Sequence, residues 1–339
     1  MHSLLFPKGK NIFLILCVLA GFFFIPANAG VDTIQGNASF DTILVNTIVD
    51  TIPGNAPADK IAANGISKSR LRFTLAASAV SWAGILILLN EAWYSDYPRS
   101  SFHLYNDWGE WFNMDKTGHL FSSYTFSLAG IHLMRQTGME RDKAAWTGGL
   151  YGPVFLSTIE ILDGFSEEWG FSLADMAANI AGSAIAVSQE LFLGHQVVRV
   201  KYSYHESGLA KYRPDALGSN LPEKMLKDYN GQTHWLSMNL SSLGGRMEAF
   251  PGWLNIAFGY SADGMTGGFS NPSVSNGREL PHFERYRQFY FAPDIDLSAI
   301  ETGSGFINGL LRTLNFLKIP SPALEYNRVD GFRLHLLYF

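Results

Sequence analysis

The chain has 339 residues, of which 47% are hydrophobic, 14% aromatic and only 16% charged, with a formal net charge of −5. That is enough chain to bury a sizeable core, with fewer charges than the usual quarter or so. The acidic balance excludes nucleic acid as a partner, and a single cysteine, Cys17, excludes an internal disulfide or a cysteine-rich metal site.

In chain order, Lys8 and Lys10 precede the apolar run Ile12 to Ile25, and Ala27-Asn28-Ala29 supplies the small residues that a signal peptidase needs before Gly30. Residues 1–29 are therefore predicted to be a signal peptide, and the protein to be exported. Leu14-Ile15-Leu16-Cys17 is a poor lipobox, because Leu16 is too large for the position before an acylated cysteine and the apolar run continues past it. Within 30–67, Asp32, Asp41 and Asp50 each open an Asp-Thr-Ile triplet, among Gly, Asn, Pro and Ala. Without long apolar runs this segment cannot offset its ordering entropy, and it reads as a disordered spacer.

The stretch from Leu71 to Glu91 carries no charge between Arg72 and Glu91 and is long enough to cross a bilayer as a helix. The aromatic and polar mixture after it places Trp93, Tyr94, Tyr97, Trp108 and Trp111 at headgroup level. Three more apolar segments follow, His119 to Met134, Ala144 to Leu162 and Phe171 to Leu193, the last rich in small residues that allow close helix contact. The expected fold is mainly α: a four-helix membrane-associated bundle over 68–200, then a small β-rich (α+β) extension over 201–339. As four spans, these segments would put Arg135, Arg141 and Lys143 outside and Asp163 to Glu168 inside, against the positive-inside rule. The outer membrane or a periplasmic face is thus favoured over the inner membrane.

Beyond residue 230 the period becomes two. Leu236, Met238 and Leu240 alternate with polar residues, as do Leu254, Ile256, Phe258 and Tyr260. Further strands are predicted at Tyr286 to Ala299, broken near Pro293, and at Phe332 to Phe339, with an amphipathic helix over Ile307 to Leu317. The terminal Phe339 after an alternating strand is the ending of an outer-membrane strand, but four strands are too few for a barrel, so a small sheet beside the helices is the preferred reading.

Most of the chemistry lies between residues 115 and 182. Asp115 and His119 are four apart, as are Asp175 and Asn179, so each pair shares a helix face. Asp115, Lys116, His119, Glu160, Trp169, Gly170, Ser172, Asp175, Asn179 and Gly182 together form a pattern that resembles the YfiM-like predicted periplasmic proteins. Those proteins share a DKxxH helix start, a later Glu before an acidic turn, and W-G-x-S-x-x-D followed by Asn or Asp and Gly. A fainter resemblance to VanZ-like membrane proteins rests on DKxxH, a later Glu and D-x-x-x-N-x-x-G. Both resemblances imply a helical envelope module, and neither implies a reaction.

Asp115, His119 and Glu160, with Asp163 or Asp175, supply the oxygen and nitrogen ligands of a divalent zinc, manganese or iron site. A carboxylate beside an imidazole also serves as a general base, which makes Asp115, His119, Glu160 and Asp175 the catalytic candidates. Against this stands a structural reading. Asp115 would favour a helix N-terminus, Ser172 would cap the last helix with Asp175 returning the bond, and His119 would bond Glu160 or Asn179. These groups lie near segment ends, which favours a structural network. The expected function is accordingly that of a non-enzymatic structural or assembly protein of the cell envelope, with membrane lipid and other envelope proteins as partners. The alternatives are a lipid- or cell-wall-directed hydrolase or transferase using this cluster with a divalent metal, and a lipid or small-molecule binding module.

Overall fold

The computed structural model describes residues 65–90 and 98–339. The signal peptide, the Cys17 lipobox, nearly all of the spacer, and Trp93, Tyr94 and Tyr97 lie outside the described residues.

Helix α1 (Lys68–Leu89) starts at Ser67, whose hydroxyl accepts from the Arg70 N–H. It docks by one edge only. Ile85 packs with Leu133, Phe155 and Leu156, and the Trp82 ring lies 5.8 Å from Tyr151 and 5.7 Å from Phe155. Phe73, Leu75, Val80 and Ile87 stay exposed. By length and composition α1 alone among the described helices is apolar enough to cross a membrane.

Helix α2 (Met114–Gln136) is the hub for α3 (Arg141–Gly149), α4 (Tyr151–Asp163) and α5 (Leu173–Phe192). Its neighbours come close because they present glycine. A Cβ on Gly182 would stand 2.2 Å from the Leu120 carbonyl oxygen, and one on Gly152 2.2 Å from that of Ser123. Hydroxyls fill the same seams: Ser127 and Ser183 both donate to the Gly149 carbonyl at 2.7 Å.

The rest of the chain is built on a six-stranded antiparallel sheet. Its strands are β1 (Val198–Tyr204), β2 (Gln232–Asn239), β3 (Leu254–Asp263), β6 (Tyr286–Ile295), β7 (Ser321–Asn327) and β8 (Gly331–Tyr338), in that spatial order. Strands β4 (Val274–Ser275) and β5 (Arg278–Glu279) pair separately. Short helices α6 (Pro214–Leu217) and α7 (Leu221–Lys227) join β1 to β2, and α8 (Gly305–Leu314) precedes β7. The sheet curls until its ends meet. Tyr338 of β8 stacks on Tyr290 at 4.3 Å and its hydroxyl lies 3.0 Å from Thr233 Oγ1 of β2. The free edge of β1 is covered by residues 316–318: Tyr202 N–H donates to Phe316 O and Lys318 N–H to Tyr202 O.

Alternation gives this sheet two unlike faces. Inside the curl sit Lys201, Thr233, Trp235, Ser237, Asn255, Gln288, Asp294, Glu325 and Asn327, all buried. Several of them pair around the apolar cluster of Trp235, Ala257, Tyr290, Ala292, Ala323 and Tyr338: Lys201 pairs with Asp294 at 2.8 Å, Ser237 donates to Asp294 at 2.6 Å, and Glu325 takes Gln288, Asn327 and His335 at 2.9, 2.7 and 2.6 Å. Outside, the pairings align Leu236, Phe258, Phe291, Leu324 and Leu334 in one row. Tyr260, Phe289, Tyr326 and Phe332 form the next. The helices cover the β1 and β2 end of this outer face, through Phe121 against Tyr202 and His234 and Tyr124 against Val200, and the turn before α2 reaches Tyr260 of β3.

The mainly α expectation is overturned. The fold is mixed α+β with a sheet-rich C-terminal part, and no four-helix bundle is present among the described residues. The Ala144 to Leu162 segment divides into α3 and α4 around Leu150, and α1 touches its neighbours too sparingly to complete a bundle. Two strands of the six-stranded sheet are not expected from the sequence, β1 because Arg199 and Lys201 look like a solvated basic tail, and β7 because Pro322 and Glu325 interrupt its pattern; the short β4–β5 pair is not expected either. Strand β6 runs through Pro293 unbroken, since β7 pairs with β6 only over Gln288–Phe291 and no ladder donor is demanded there.

Candidate functional site

The site forms where α2 and α5 begin side by side and the end of α4 meets them. It is prepared by a strained turn. Trp111, Phe112 and Asn113 have φ of 49°, 53° and 66°, a left-handed conformation that bulky residues rarely adopt. The β-rich part holds that turn in place. Trp111 N–H donates to Gly268 O, Tyr260 Oη donates to Phe112 O, and the Arg285 and Arg287 guanidinium groups lie 4.9 and 4.5 Å above the Phe112 ring. The turn aims the first residues of α2 back at Asp107.

Lys116 is the centre of the charge arrangement. Its buried ammonium donates to Asp107 Oδ2, to Asp115 Oδ2 at 3.1 Å and to Asp175 Oδ2 at 3.1 Å. Asp107 also accepts from Ser172 Oγ at 2.7 Å, and Ser172 Oγ accepts from the Asp175 N–H, capping α5. The returning half of that cap comes from a different helix: the Ser172 N–H donates to Glu160 Oε2 at 3.2 Å. Asp115 makes no cap. Its Oδ1 instead accepts from the Tyr229 hydroxyl at 2.8 Å.

His119 faces the other side of the same carboxylates. Its Nδ1 lies 3.1 Å from Asn179 Oδ1, while Nε2 stands 3.6 Å from Glu160 Oε1 and 3.9 Å from both Asp115 Oδ1 and Asp175 Oδ1. Glu160 Oε1 is buried and has no hydrogen-bond partner. Four carboxylates facing one ammonium and one imidazole displace each other's protonation. Burial pushes Glu160 up to about 7 against the pull of His119, and burial with the Asp115 charge raises Asp175. Burial opposes the His119 charge, but Asp115, Asp175 and Glu160 outweigh it and lift the imidazole to about 9. Asp107 and Asp115 stay below the ordinary carboxylate value despite burial. Hydrogen bonds from Asp175, Lys116 and Ser172 hold down the first, and the charges of His119 and Lys116 the second.

Asp115, Lys116, His119, Glu160, Ser172, Asp175 and Asn179 thus meet in one cluster. Asp163 acts on Glu160 of the cluster through its charge. Gly170 packs beside Tyr105 and His103, and Gly182 serves the α2–α5 contact. Asp107 and Tyr229 are members that the sequence did not reveal. Asp107 precedes an irregular turn and has no periodic partner, and Tyr229 is 114 residues from Asp115. Trp111 packs on Tyr229, with ring centroids 5.6 Å apart, so it is a support of the cluster and not a headgroup anchor.

Fold and cluster together define an α+β protein with a polar-cored, apolar-faced sheet joined to a small-residue helical unit that carries a buried carboxylate network. Residues 105–190 match a family described as predicted periplasmic lipoprotein (DUF2279). The matched stretch contains every member of the cluster except Tyr229. The protein is exported and associated with the cell envelope, at the outer membrane or the periplasmic face. No curated protein and no solved structure matches the chain.

Proposed function

We propose that the protein is a non-enzymatic structural or assembly protein of the cell envelope, seated in the membrane by the outer face of its curled sheet. The observation that carries this reading is the sidedness of that sheet. A sheet of a water-soluble domain buries its apolar face and wets its polar one. Here the polar residues are inside and the in-register rows of Phe, Leu and Tyr point outward, the arrangement of strands that face lipid. Contiguous exposed apolar rows of this kind mark surfaces that meet lipid or another protein. The apolar outer side of α1 supports the same seat.

In this reading the chain has a signal peptide over 1–29, a spacer over 30–67, a helical unit over 68–200 and a β-rich unit over 201–339. The YfiM-like resemblance, and the fainter VanZ-like one, agree with a helical unit that serves the envelope without a reaction of its own. The carboxylate network acts as a lock that fixes the start of α2 to α5 and to the β-rich unit through Tyr229. The partners are membrane lipid and, through the helical unit, other envelope proteins.

The test is vesicle flotation with phosphatidylethanolamine and phosphatidylglycerol. The signal-cleaved, unacylated chain is expected to float with vesicles, and Phe258→Asp/Phe291→Asp/Leu334→Asp to stay at the bottom with its circular dichroism unchanged. A wild-type chain that is monodisperse in detergent-free buffer and ignores vesicles sinks the reading.

A further inference from the structure

The arrangement around His119 is unfinished as a hydrogen-bond network and gathers metal-ligating side chains about one point. Asn179 Oδ1 accepts from Nδ1–H, and Nε2 faces three carboxylate oxygens, so an ion bound there displaces the Nε2 proton that those carboxylates stabilise. At 3.6 and 3.9 Å none of those oxygens is close enough to hydrogen-bond Nε2. Four ligands that stand about 2.0–2.2 Å from a tetrahedral ion lie roughly 3.3–3.6 Å from one another. Nε2 and the nearest oxygens of Asp115 and Asp175 already fall within 4.8 Å of one another; Glu160 Oε1 lies outside that group but 3.6 Å from Nε2, and joins it by turning in as an ion binds.

Each carboxylate is also supported from behind. Glu160 Oε2 is held by the Ser172 N–H, both oxygens of Asp175 and Asp115 Oδ2 by Lys116, and Asp115 Oδ1 by Tyr229. Outer groups of this kind orient the ligands of a metal centre and set the tautomer of its histidine. The independent sign of a ligand is Glu160. Its residue is 1% exposed, and Oε1 points at Nε2 with no donor of its own. Leaving such an atom bare in a finished protein costs stability, which a cation at the common focus would restore.

We propose that His119 Nε2, Glu160 Oε1, Asp175 Oδ1 and Asp115 Oδ1 bind one divalent first-row transition ion. One imidazole with three carboxylates, and no sulfur, suits Zn2+, Mn2+ or Fe2+, and four protein ligands suit the tetrahedral preference of Zn2+. Lys116 and Asp107 form the layer behind the ligands, the ammonium offsetting part of the carboxylate charge. The ion joins α2, α4 and α5 at one point.

The test uses the full chain in detergent, stripped with EDTA, dialysed and titrated with ZnCl2. The expected result is one tightly held Zn2+ per chain after desalting and a raised thermal midpoint. Substituting Co2+ is expected to give visible absorption bands that Glu160→Gln displaces or abolishes. His119→Ala and Glu160→Gln are each expected to weaken Zn2+ binding by about tenfold or more. Glu160→Gln keeps the shape and the acceptor for the Ser172 N–H, so it stays informative if His119→Ala does not fold. Absence of stoichiometric uptake by the wild-type chain overturns the proposal, and so does wild-type affinity in a folded Glu160→Gln chain.

Discussion

Lys116 is the residue whose loss the cluster tolerates least. Its ammonium, 8% exposed, is the common partner of Asp107, Asp115 and Asp175. Removing one side of a buried ion pair strands the other without water, at a cost of about 3–5 kcal/mol. Lys116→Met is therefore expected to lower the unfolding free energy measured in urea by about that much, with a lower midpoint and unchanged slope, and Asp107→Asn in the same chain to recover part of it by removing one stranded charge. A Lys116→Met chain with the wild-type midpoint would mean that the carboxylates are held by something else. Half of this arrangement is legible from spacing, because Asp115 and His119, and Asp175 and Asn179, sit on single helices where four residues make one turn. Their convergence with Glu160 is not, since it depends on how three helices pack. Asp107 is hidden for a further reason. Its direction is set by a left-handed turn at Trp111 to Asn113, which the β-rich part stabilises from more than a hundred residues away.

Among the elements, the α2–α5 seam decides whether the cluster closes. Gly182 allows α5 to approach until its Cα lies against the backbone of α2, with a substituted Cβ only 2.2 Å from the Leu120 carbonyl oxygen. Backbone cannot give way as a side chain tip can, so Gly182→Ala is expected to push α5 off α2 and cost about 1–3 kcal/mol. The matching control is Gly84→Ala in α1, where nothing lies within 4 Å of the added Cβ and the better helix propensity is expected to leave stability equal or up to about 1 kcal/mol higher. Equal midpoints for the two variants in thermal unfolding would argue against the tight seam. The run of small residues in α5 does announce a close contact, and the alternation in β2 and β3 does announce strands. Strand β1 stays hidden because its charges are answered only across the curl, Arg199 by Asp296 at 3.1 Å and Lys201 by Asp294 at 2.8 Å. A window of local sequence reads these cations as solvated when they are the inner face of a strand.

For the whole molecule, the sheet's inverted sidedness competes with the N-terminus as the means of membrane attachment. The matched family is one of predicted lipoproteins, and Cys17 is the cysteine an acyl chain would use. A lipobox cysteine is diacylated, and two chains are enough to hold a protein at a bilayer, so the two attachments have to be separated by experiment. The rows Leu236–Phe258–Phe291–Leu324–Leu334 and Phe289–Tyr326–Phe332 supply further apolar contact, at about 25 cal/mol for each Å² removed from water. Two outcomes separate the anchors in membrane fractionation. If the sheet is the seat, Cys17→Ser still sediments with membranes in high salt, because apolar contact is not screened, and only detergent releases it. Phe258→Asp/Phe291→Asp with Cys17 intact then partitions largely to the soluble fraction. If instead Cys17→Ser alone becomes soluble, the lipid chain is the attachment. The outward Phe and Leu rows must then be covered by another protein of the envelope, and cross-linking from Phe258 would have to yield a protein adduct in place of lipid.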